Sequence, residues 1–87
     1  MRMSPISNYV MTTITLRDLA PGETATIIAI HTDDPLRQRL LAMGFRAGKV
    51  IEIVRRAIFS GPLQVRIGTT DILLRRSEAQ QITVNRA

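Results

Sequence analysis

The sequence of 87 residues has no cysteine and no tryptophan, one histidine, and only three aromatic side chains of other kinds. Without cysteine the chain has no disulfide, no thiolate metal site and no thiol nucleophile. A single imidazole excludes a histidine-rich metal cluster within one chain. Tyr9, Phe45 and Phe59 are too few to build the stacking platform typical of proteins that bind single-stranded nucleic acid.

Long apolar runs are missing as well. No segment has the ~18 uninterrupted apolar residues of a membrane span, and residues 1–13 lack the apolar stretch of a secretory signal. We therefore expect a cytoplasmic protein that does not itself span the membrane. A composition of 45% hydrophobic residues is sufficient for a folded core. The predicted organisation is a flexible arm at residues 1–11 followed by one domain at residues 12–87.

Basic residues are in clear excess. Twelve Arg and Lys against seven Asp and Glu give a formal net charge of +5, and all the basic residues except Lys49 are arginine. Arginine forms planar, bidentate contacts with carboxylates and phosphates. The arginines are scattered, mostly in pairs, so a basic tract typical of nucleic-acid binding is absent. Many such pairs are simply solvated, but the excess favours an anionic partner.

Short β-branched runs separated by turns predict a mainly β protein, a small β-barrel of about five strands. The runs cover residues 25–30, 49–56, 63–67, 71–75 and 82–84. Such spacing favours a barrel, whose closure removes exposed sheet edges. Short helical turns are predicted at Thr15–Leu19, capped by Thr15, and at residues 77–80, capped by Ser77.

One α-helix is inserted between the first two predicted strands. Asp34 suits the N-cap and Pro35 the first helical position, so the predicted helix covers residues 35–43. Gly44 follows as a left-handed C-terminal stop. Phe45 is then placed to contact Leu40 in a Schellman-type closure.

An apolar and cationic surface is predicted beside this helix and after the second strand. Leu41 lies about 100° from Leu40 around the helix and cannot share its stripe fully. Phe59, in the loop at residues 57–62, either folds back over the barrel or projects as an anchor, and aromatic side chains with arginine are common in interfaces. The predicted partner-binding residues are Arg37, Arg39, Leu41, Arg55, Arg56 and Phe59.

Catalytic motifs are absent, so we expect no enzyme. A nucleophile elbow is missing, and the segment at residues 44–50 lacks the spacing of a phosphate loop. His31, Asp33 and Asp34 could supply two or three metal ligands, which is short of a closed site. Capping of the helix by Asp34 is the simpler explanation. We expect no required cofactor, with weak binding of Fe²⁺ or Zn²⁺ as the remaining possibility.

The segment from Arg39 to Gly48, R-L-L-A-M-G-F-R-A-G, resembles the FeoA family of bacterial ferrous iron transport proteins. The pattern extends through Leu19-Ala20-Pro21-Gly22, Gly61-Pro62 and Leu73-Leu74-Arg75-Arg76, so it spans about Thr12 to Val84.

This resemblance implies an SH3-like β-barrel and an accessory or regulatory role in ferrous iron transport. It also implies protein–protein contact with FeoB, a membrane iron transporter whose cytoplasmic part carries a GTPase domain, and modulation of that domain. Two alternatives remain open from the residues: a small-barrel nucleic-acid-binding protein, which the few aromatics argue against, and a weak transition metal carrier or sensor.

Overall fold

Six antiparallel strands form the sheet of this protein, and the computed structural model describes residues 13–86. The strands are β1 (Thr13–Thr15), β2 (Thr24–Ile30), β3 (Val50–Arg56), β4 (Leu63–Ile67), β5 (Thr70–Leu74) and β6 (Ile82–Arg86). Their order in the sheet is β1-β6-β2-β3-β4-β5. The helical segments are a 3-10 turn at Leu16–Asp18, α1 at Asp34–Ala42 and α2 at Arg76–Ala79. The predicted arm at residues 1–11 lies outside the described residues.

The mainly β prediction is confirmed, with one strand more than the five expected. The additional strand is β1, which pairs with β6 from Thr13↔Asn85 to Thr15↔Thr83. Its three residues are too few to give a readable alternation of apolar and polar side chains. Within the described chain, β1 and β5 are the two edges of the sheet and do not pair with each other. Backbone hydrogen bonds therefore do not close the sheet into a barrel.

Alternation along the strands directs one face of the sheet into the core. In β4, Leu63 and Val65 are fully buried and Ile67 nearly so, whereas Arg66 between them is exposed. Leu16 and Leu19, in and after the helical turn, join the same cluster. Burial of these aliphatic side chains stabilises the fold by roughly 1.5–3 kcal/mol each.

A β-bulge near the end of β3 decides where its last two arginines point. The register with β4 shifts between Ile53 and Arg55, so Arg55 lies opposite Gln64 and Arg56 opposite the buried Leu63. A bulge inserts one residue and reverses the faces that follow. Arg55 is consequently exposed, and Arg56 is half-buried on the core side of the sheet.

Helix α1 begins one residue earlier than predicted, because Asp33 and not Asp34 is its N-cap. The Asp33 carboxylate accepts a hydrogen bond from the Leu36 backbone N–H at 3.1 Å. The Asp33 carbonyl also accepts the Arg37 N–H at 2.9 Å, so the first helical hydrogen bond already starts there. Two adjacent aspartates are equally good caps by residue type, and the sequence alone does not choose between them.

The predicted stop of α1 at Gly44 is confirmed, although the helix ends at Ala42, one residue earlier than predicted, with Met43 as its C-cap. Gly44 has a φ of 97°, a left-handed conformation that favours glycine. The Phe45 N–H donates to the Leu40 carbonyl at 2.9 Å and the Gly44 N–H to the Leu41 carbonyl at 3.0 Å, which is the Schellman pattern. Leu40 and Phe45 are both fully buried, so this motif fastens the helix to the core.

In both shorter helical segments an acidic side chain of the first turn accepts a hydrogen bond from the backbone N–H of the N-cap residue. The Asp18 carboxylate accepts from the backbone N–H and the hydroxyl of Thr15, both at 3.0 Å, so the predicted turn is confirmed. The second prediction is wrong in its cap: α2 begins at Arg76 with Arg75 as N-cap. Glu78 accepts from the Arg75 N–H at 3.0 Å and so selects Arg75 rather than Ser77 as the cap.

Candidate functional site

The loop between β3 and β4 presents the most exposed aromatic side chain of residues 14–86. Its base is closed by a hydrogen bond from the Ala57 N–H to the Pro62 carbonyl at 3.1 Å. Phe59 is 94% exposed and Ile58 is 76% exposed. Of the two positions that the sequence allowed for Phe59, the structure therefore shows the projecting one. We call residues 58–60 the Phe59 tip.

The backbone of the Phe59 tip is left-handed at two residues that are not glycine. Phe59 has a φ of 55° and Ser60 a φ of 65°, a conformation that costs roughly 1–2 kcal/mol for each L-residue. At Gly61, a Cβ atom would lie 2.5 Å from the Cβ of Ala57, so this close crossing requires glycine. Strained backbone of this kind is concentrated at functional sites, which makes the tip the leading candidate for a contact surface.

Arg55 and Arg56 have different surroundings despite being neighbours in sequence. Arg56 Nη1 donates to the carbonyl oxygens of Arg17 at 2.6 Å and of Leu19 at 2.7 Å. Arg56 thus links the end of β3 to the 3-10 turn and to the residue that follows it. Arg55 is exposed, and it precedes the Phe59 tip by only a few residues. Arg55 is therefore better placed than Arg56 to meet a partner.

Replacing Arg56 with methionine should lower the free energy of unfolding by about 1.5–3 kcal/mol, since a charged donor to two carbonyl groups is lost. Arg55→Met is the matched control and should change it by less than about 0.5 kcal/mol. Chemical denaturation followed by circular dichroism measures both. Equal losses in the two variants would contradict a structural role specific to Arg56.

The three predicted binding residues of α1 also differ from one another. Arg37 is half-buried, with Nη2 3.4 Å from the Thr32 carbonyl oxygen. Leu41 is half-buried. Arg39 is more accessible, with 54% of its side chain exposed, and Nη2 donates to Glu78 at 2.8 Å. Of these three residues, Arg39 alone lines the open groove between α1, the β3–β4 loop and the β5–α2 connection.

A groove of about 880 Å³ lies between α1, the β3–β4 loop and the β5–α2 connection. We call it the β5 groove. Its lining includes Arg39, Met43, Ile72, Leu73, Arg75 and Arg76. The sequence reasoning missed this site. Leu73 is 66% exposed whereas Leu74 is fully buried, and strict alternation along this strand was the available signal that one leucine faces outward.

Glu78 is the acidic member of the groove lining and is held by two donors. Burial by itself raises the pKa of Glu78, because only 16% of its side chain is exposed. The hydrogen bonds from the Arg75 N–H and from Arg39 outweigh burial, so the pKa of Glu78 lies below its ordinary value. The Ala20 N–H and Arg86 likewise lower the pKa of Glu23.

These depressed pKa values predict acid sensitivity. A carboxylate whose folded pKa is below its unfolded pKa stabilises the fold fully above the unfolded value and loses that contribution as pH falls through the folded value. The unfolding midpoint in denaturant should be level near neutral pH and fall below about pH 4.5, the ordinary range of glutamate. The Glu78→Gln variant should be less stable than the wild-type chain near neutral pH, and its unfolding midpoint should fall less steeply as the pH is lowered. If the unfolding midpoint of Glu78→Gln depended on pH as steeply as that of the wild-type chain, the lowered pKa of Glu78 would be contradicted.

The candidate metal ligands stand apart from this surface. His31, Asp33 and Asp34 are all exposed, and the Asp33 carboxylate is engaged by the Leu36 N–H. Between residues 13 and 86, no three His, Asp or Glu side chains are grouped so that they could hold a metal ion. Metal binding by these residues stays a prediction.

The described helices are too short and too polar to cross a membrane.

Comparison with known proteins places this architecture in a family. A model of the FeoA domain matches residues 14–86. A Campylobacter jejuni protein named as an Fe(2+) transport protein A is 31% identical over 72 residues, which is 83% of this chain and 97% of the relative. A Porphyromonas gingivalis protein, named as a fusion of Fe(2+) transport protein A with the Fe(2+) transporter FeoB, is 36% identical over 69 residues. That match covers 79% of this chain and 8% of the fusion protein.

A solved structure agrees with the sequence comparisons. FeoA from Stenotrophomonas maltophilia, crystallised as a zinc complex and described as a procaryotic SH3 domain protein, superposes with a TM-score of 0.72 at 31% identity. The match covers 82% of this chain and 88% of that chain. The predicted SH3-like architecture and the predicted resemblance are both confirmed. Matching the family model over nearly the whole described chain, this protein belongs to the FeoA family.

Proposed function

We propose that this protein is a non-enzymatic, cytoplasmic accessory protein of bacterial ferrous iron transport. It acts by contact with the cytoplasmic GTPase domain of a FeoB-type membrane transporter and modulates that domain. The observation that carries the proposal is the fusion of a related domain with FeoB in one Porphyromonas gingivalis polypeptide. A covalent link keeps two domains at a high effective concentration, which suits domains that act on each other.

Contact with the transporter domain requires a surface on this chain that a partner can cover. The Phe59 tip supplies an apolar side chain that is 94% exposed, and Arg55 supplies an exposed cation nearby. Burial of a phenyl ring stabilises a complex by about 1.5–3 kcal/mol. The net charge of +5 favours an acidic face on the partner and accelerates the encounter with it.

Uptake of ferrous iron by cells tests the physiological role. We expect deletion of the gene to lower the initial rate of radiolabelled Fe²⁺ uptake and a plasmid copy of the wild-type chain to restore it. Uptake of ferric siderophore in the same strains is the control and should not change. Normal Fe²⁺ uptake in the deletion strain, with the FeoB-type transporter as its only ferrous route, would contradict the proposal.

Weak transition metal binding is a second proposal, supported by the zinc complex of the Stenotrophomonas maltophilia relative. The residues proposed are His31, Asp33 and Asp34. Titration with Zn²⁺ or Fe²⁺ by calorimetry, with His31→Ala as the control, decides it. Heats identical in the wild-type chain and the variant would dismiss a specific site at these residues.

A further inference from the structure

We propose that the β5 groove binds an extended, acidic and apolar segment of a partner protein, which lies along the open edge of β5. The β5 groove adjoins the Phe59 tip at Ser60, which lines it, whereas Ile58 and Phe59 do not. The inference does not depend on which protein Phe59 contacts. Three features of the described residues carry it: an unpaired strand edge, an apolar floor and a basic rim.

The unpaired edge is the outer side of β5. Within residues 13–86, this strand is last in the sheet order and pairs with β4 alone, from Leu63↔Leu74 to Ile67↔Thr70. An open edge presents backbone N–H and C=O groups to which another strand can add. Natural edges are usually blocked by lysine, proline or an inward charge. Between Thr70 and Leu74 there is no lysine or proline, and the single charge, Asp71, is paired with Arg66 at 2.7 Å.

The floor of the groove is apolar. Met43 and Ile72 are half-buried and pack against the core while they line the groove. Leu73, which is 66% exposed, also lines the groove but lies on the opposite face of β5 from Ile72, because successive side chains of a strand alternate. The groove is open, and its volume of about 880 Å³ is large enough to accommodate several side chains of a ligand. Alternate side chains of an added strand would point into this floor.

The rim of the groove has more cations than anions. Arg39, Arg75 and Arg76 line it, and Glu78 is the acidic residue among them. Glu78 already accepts from Arg39 and from the Arg75 backbone N–H. No ion pair in the described chain involves the guanidinium of Arg75 or Arg76. Arg75 is exposed, so its guanidinium is available for a carboxylate of a ligand.

Arg76 is half-buried and is partly engaged by the protein itself. Its Nη2 donates to the Ala57 carbonyl at 3.3 Å, whereas its buried Nε has no hydrogen-bond partner. A buried donor without an acceptor costs about 1–3 kcal/mol. A ligand in the groove cannot reach this enclosed Nε, so Arg75 provides the charge that attracts a ligand carboxylate.

These features together favour an acidic, apolar peptide over a nucleic acid or a second copy of this chain as the ligand. A nucleic acid offers phosphates but no aliphatic side chains for Met43, Ile72 and Leu73. A second copy of this chain would bring another net charge of +5 to a rim that is already basic. A peptide with alternating carboxylate and aliphatic side chains matches the edge, the floor and the rim at once.

Fluorescence anisotropy with a defined peptide tests the proposal on the full chain. The probe is a fluorescein-labelled synthetic peptide of about ten residues in which glutamate and valine alternate. We expect saturable binding, and Arg75→Glu should weaken it by about tenfold or more, because a charge-assisted contact becomes a repulsion. Arg46→Glu has the same charge change at an exposed site that does not line the groove and should weaken binding less than about threefold.

The contradicting outcomes are distinct. No binding of the glutamate–valine peptide, equal binding of a lysine–valine peptide, or equal losses in Arg75→Glu and Arg46→Glu would each overturn the proposal. A stable dimer of the free chain joined through β5, found by sedimentation and amide exchange, would assign the edge to a second copy instead. Phe59→Ser should leave peptide affinity unchanged, so failure here is separable from failure of the transporter contact.

Backbone NMR locates the peptide. On titration, changes in amide chemical shift should be concentrated at residues 70–78 and at the C-terminal half of α1. The amide signals of residues 58–59 should change little. Chemical-shift changes concentrated at residues 58–59 would contradict the groove assignment even if the peptide binds.

Discussion

Phe45→Ala is expected to lower the free energy of unfolding by about 3–5 kcal/mol, the usual cost of removing a buried phenyl ring. Phe45 is fully buried, and its N–H closes the Schellman motif on the Leu40 carbonyl. A chain of this length has a net stability of only ~4–13 kcal/mol at typical values per residue. The variant should therefore be partly or wholly unfolded at moderate denaturant concentration. Far-ultraviolet circular dichroism in guanidinium chloride measures the change, because the chain has no tryptophan.

The second phenylalanine of the domain provides the control. Phe59 is 94% exposed, so Phe59→Ala should change the free energy of unfolding by less than about 0.5 kcal/mol. Similar losses for the two variants would mean that Phe59 is packed in solution. A loss below about 1 kcal/mol for Phe45→Ala would contradict its place in the core.

Phe59→Ser is expected to weaken binding to the cytoplasmic domain of the FeoB-type transporter by about tenfold to a hundredfold, which corresponds to roughly 1.5–3 kcal/mol. This expectation rests on the proposed function. The left-handed backbone at Phe59 and Ser60 already presents the ring to solvent, so little backbone rearrangement is needed when a partner covers it. Such preorganisation increases affinity.

A matched variant separates a specific contact from a general loss of apolar surface. Val50 is 55% exposed in β3 and lies outside the β3–β4 loop, so Val50→Ser should leave the affinity for the transporter domain nearly unchanged. Surface plasmon resonance with immobilised transporter domain compares the two. Equal weakening by both variants, or by neither, would remove the Phe59 tip from the interface.

Local rules predicted the elements whose determinants lie within a few residues of each other. Gly44 and Phe45 ended α1 as expected, because a left-handed glycine followed by an apolar residue is itself the stop signal. Leu63, Val65 and Ile67 were readable as one buried face for the same reason. The ambiguity at Asp33 and Asp34 was also local, since either residue can cap and only the folded backbone decides.

Features that depend on distant pairing could not be predicted in this way. The role of Arg56 depends on a bulge in β3 and on two carbonyl groups at Arg17 and Leu19, far away in sequence. The sequence analysis therefore grouped Arg55 with Arg56, although their surroundings differ. The β5 groove combines α1, the β3–β4 loop, β5 and α2. No short window of sequence contains these elements together.

Calorimetric titration of the wild-type chain with the purified cytoplasmic domain of the FeoB-type transporter from the same bacterium tests the central claim most directly. The titration is done without nucleotide, with GDP and with a non-hydrolysable GTP analogue. Contact through the Phe59 tip predicts saturable binding in at least one nucleotide state, and predicts that Phe59→Ser weakens it while Val50→Ser does not. Heats no larger than the heat of dilution in all three nucleotide conditions, with both proteins shown to be folded, would contradict direct contact with that domain.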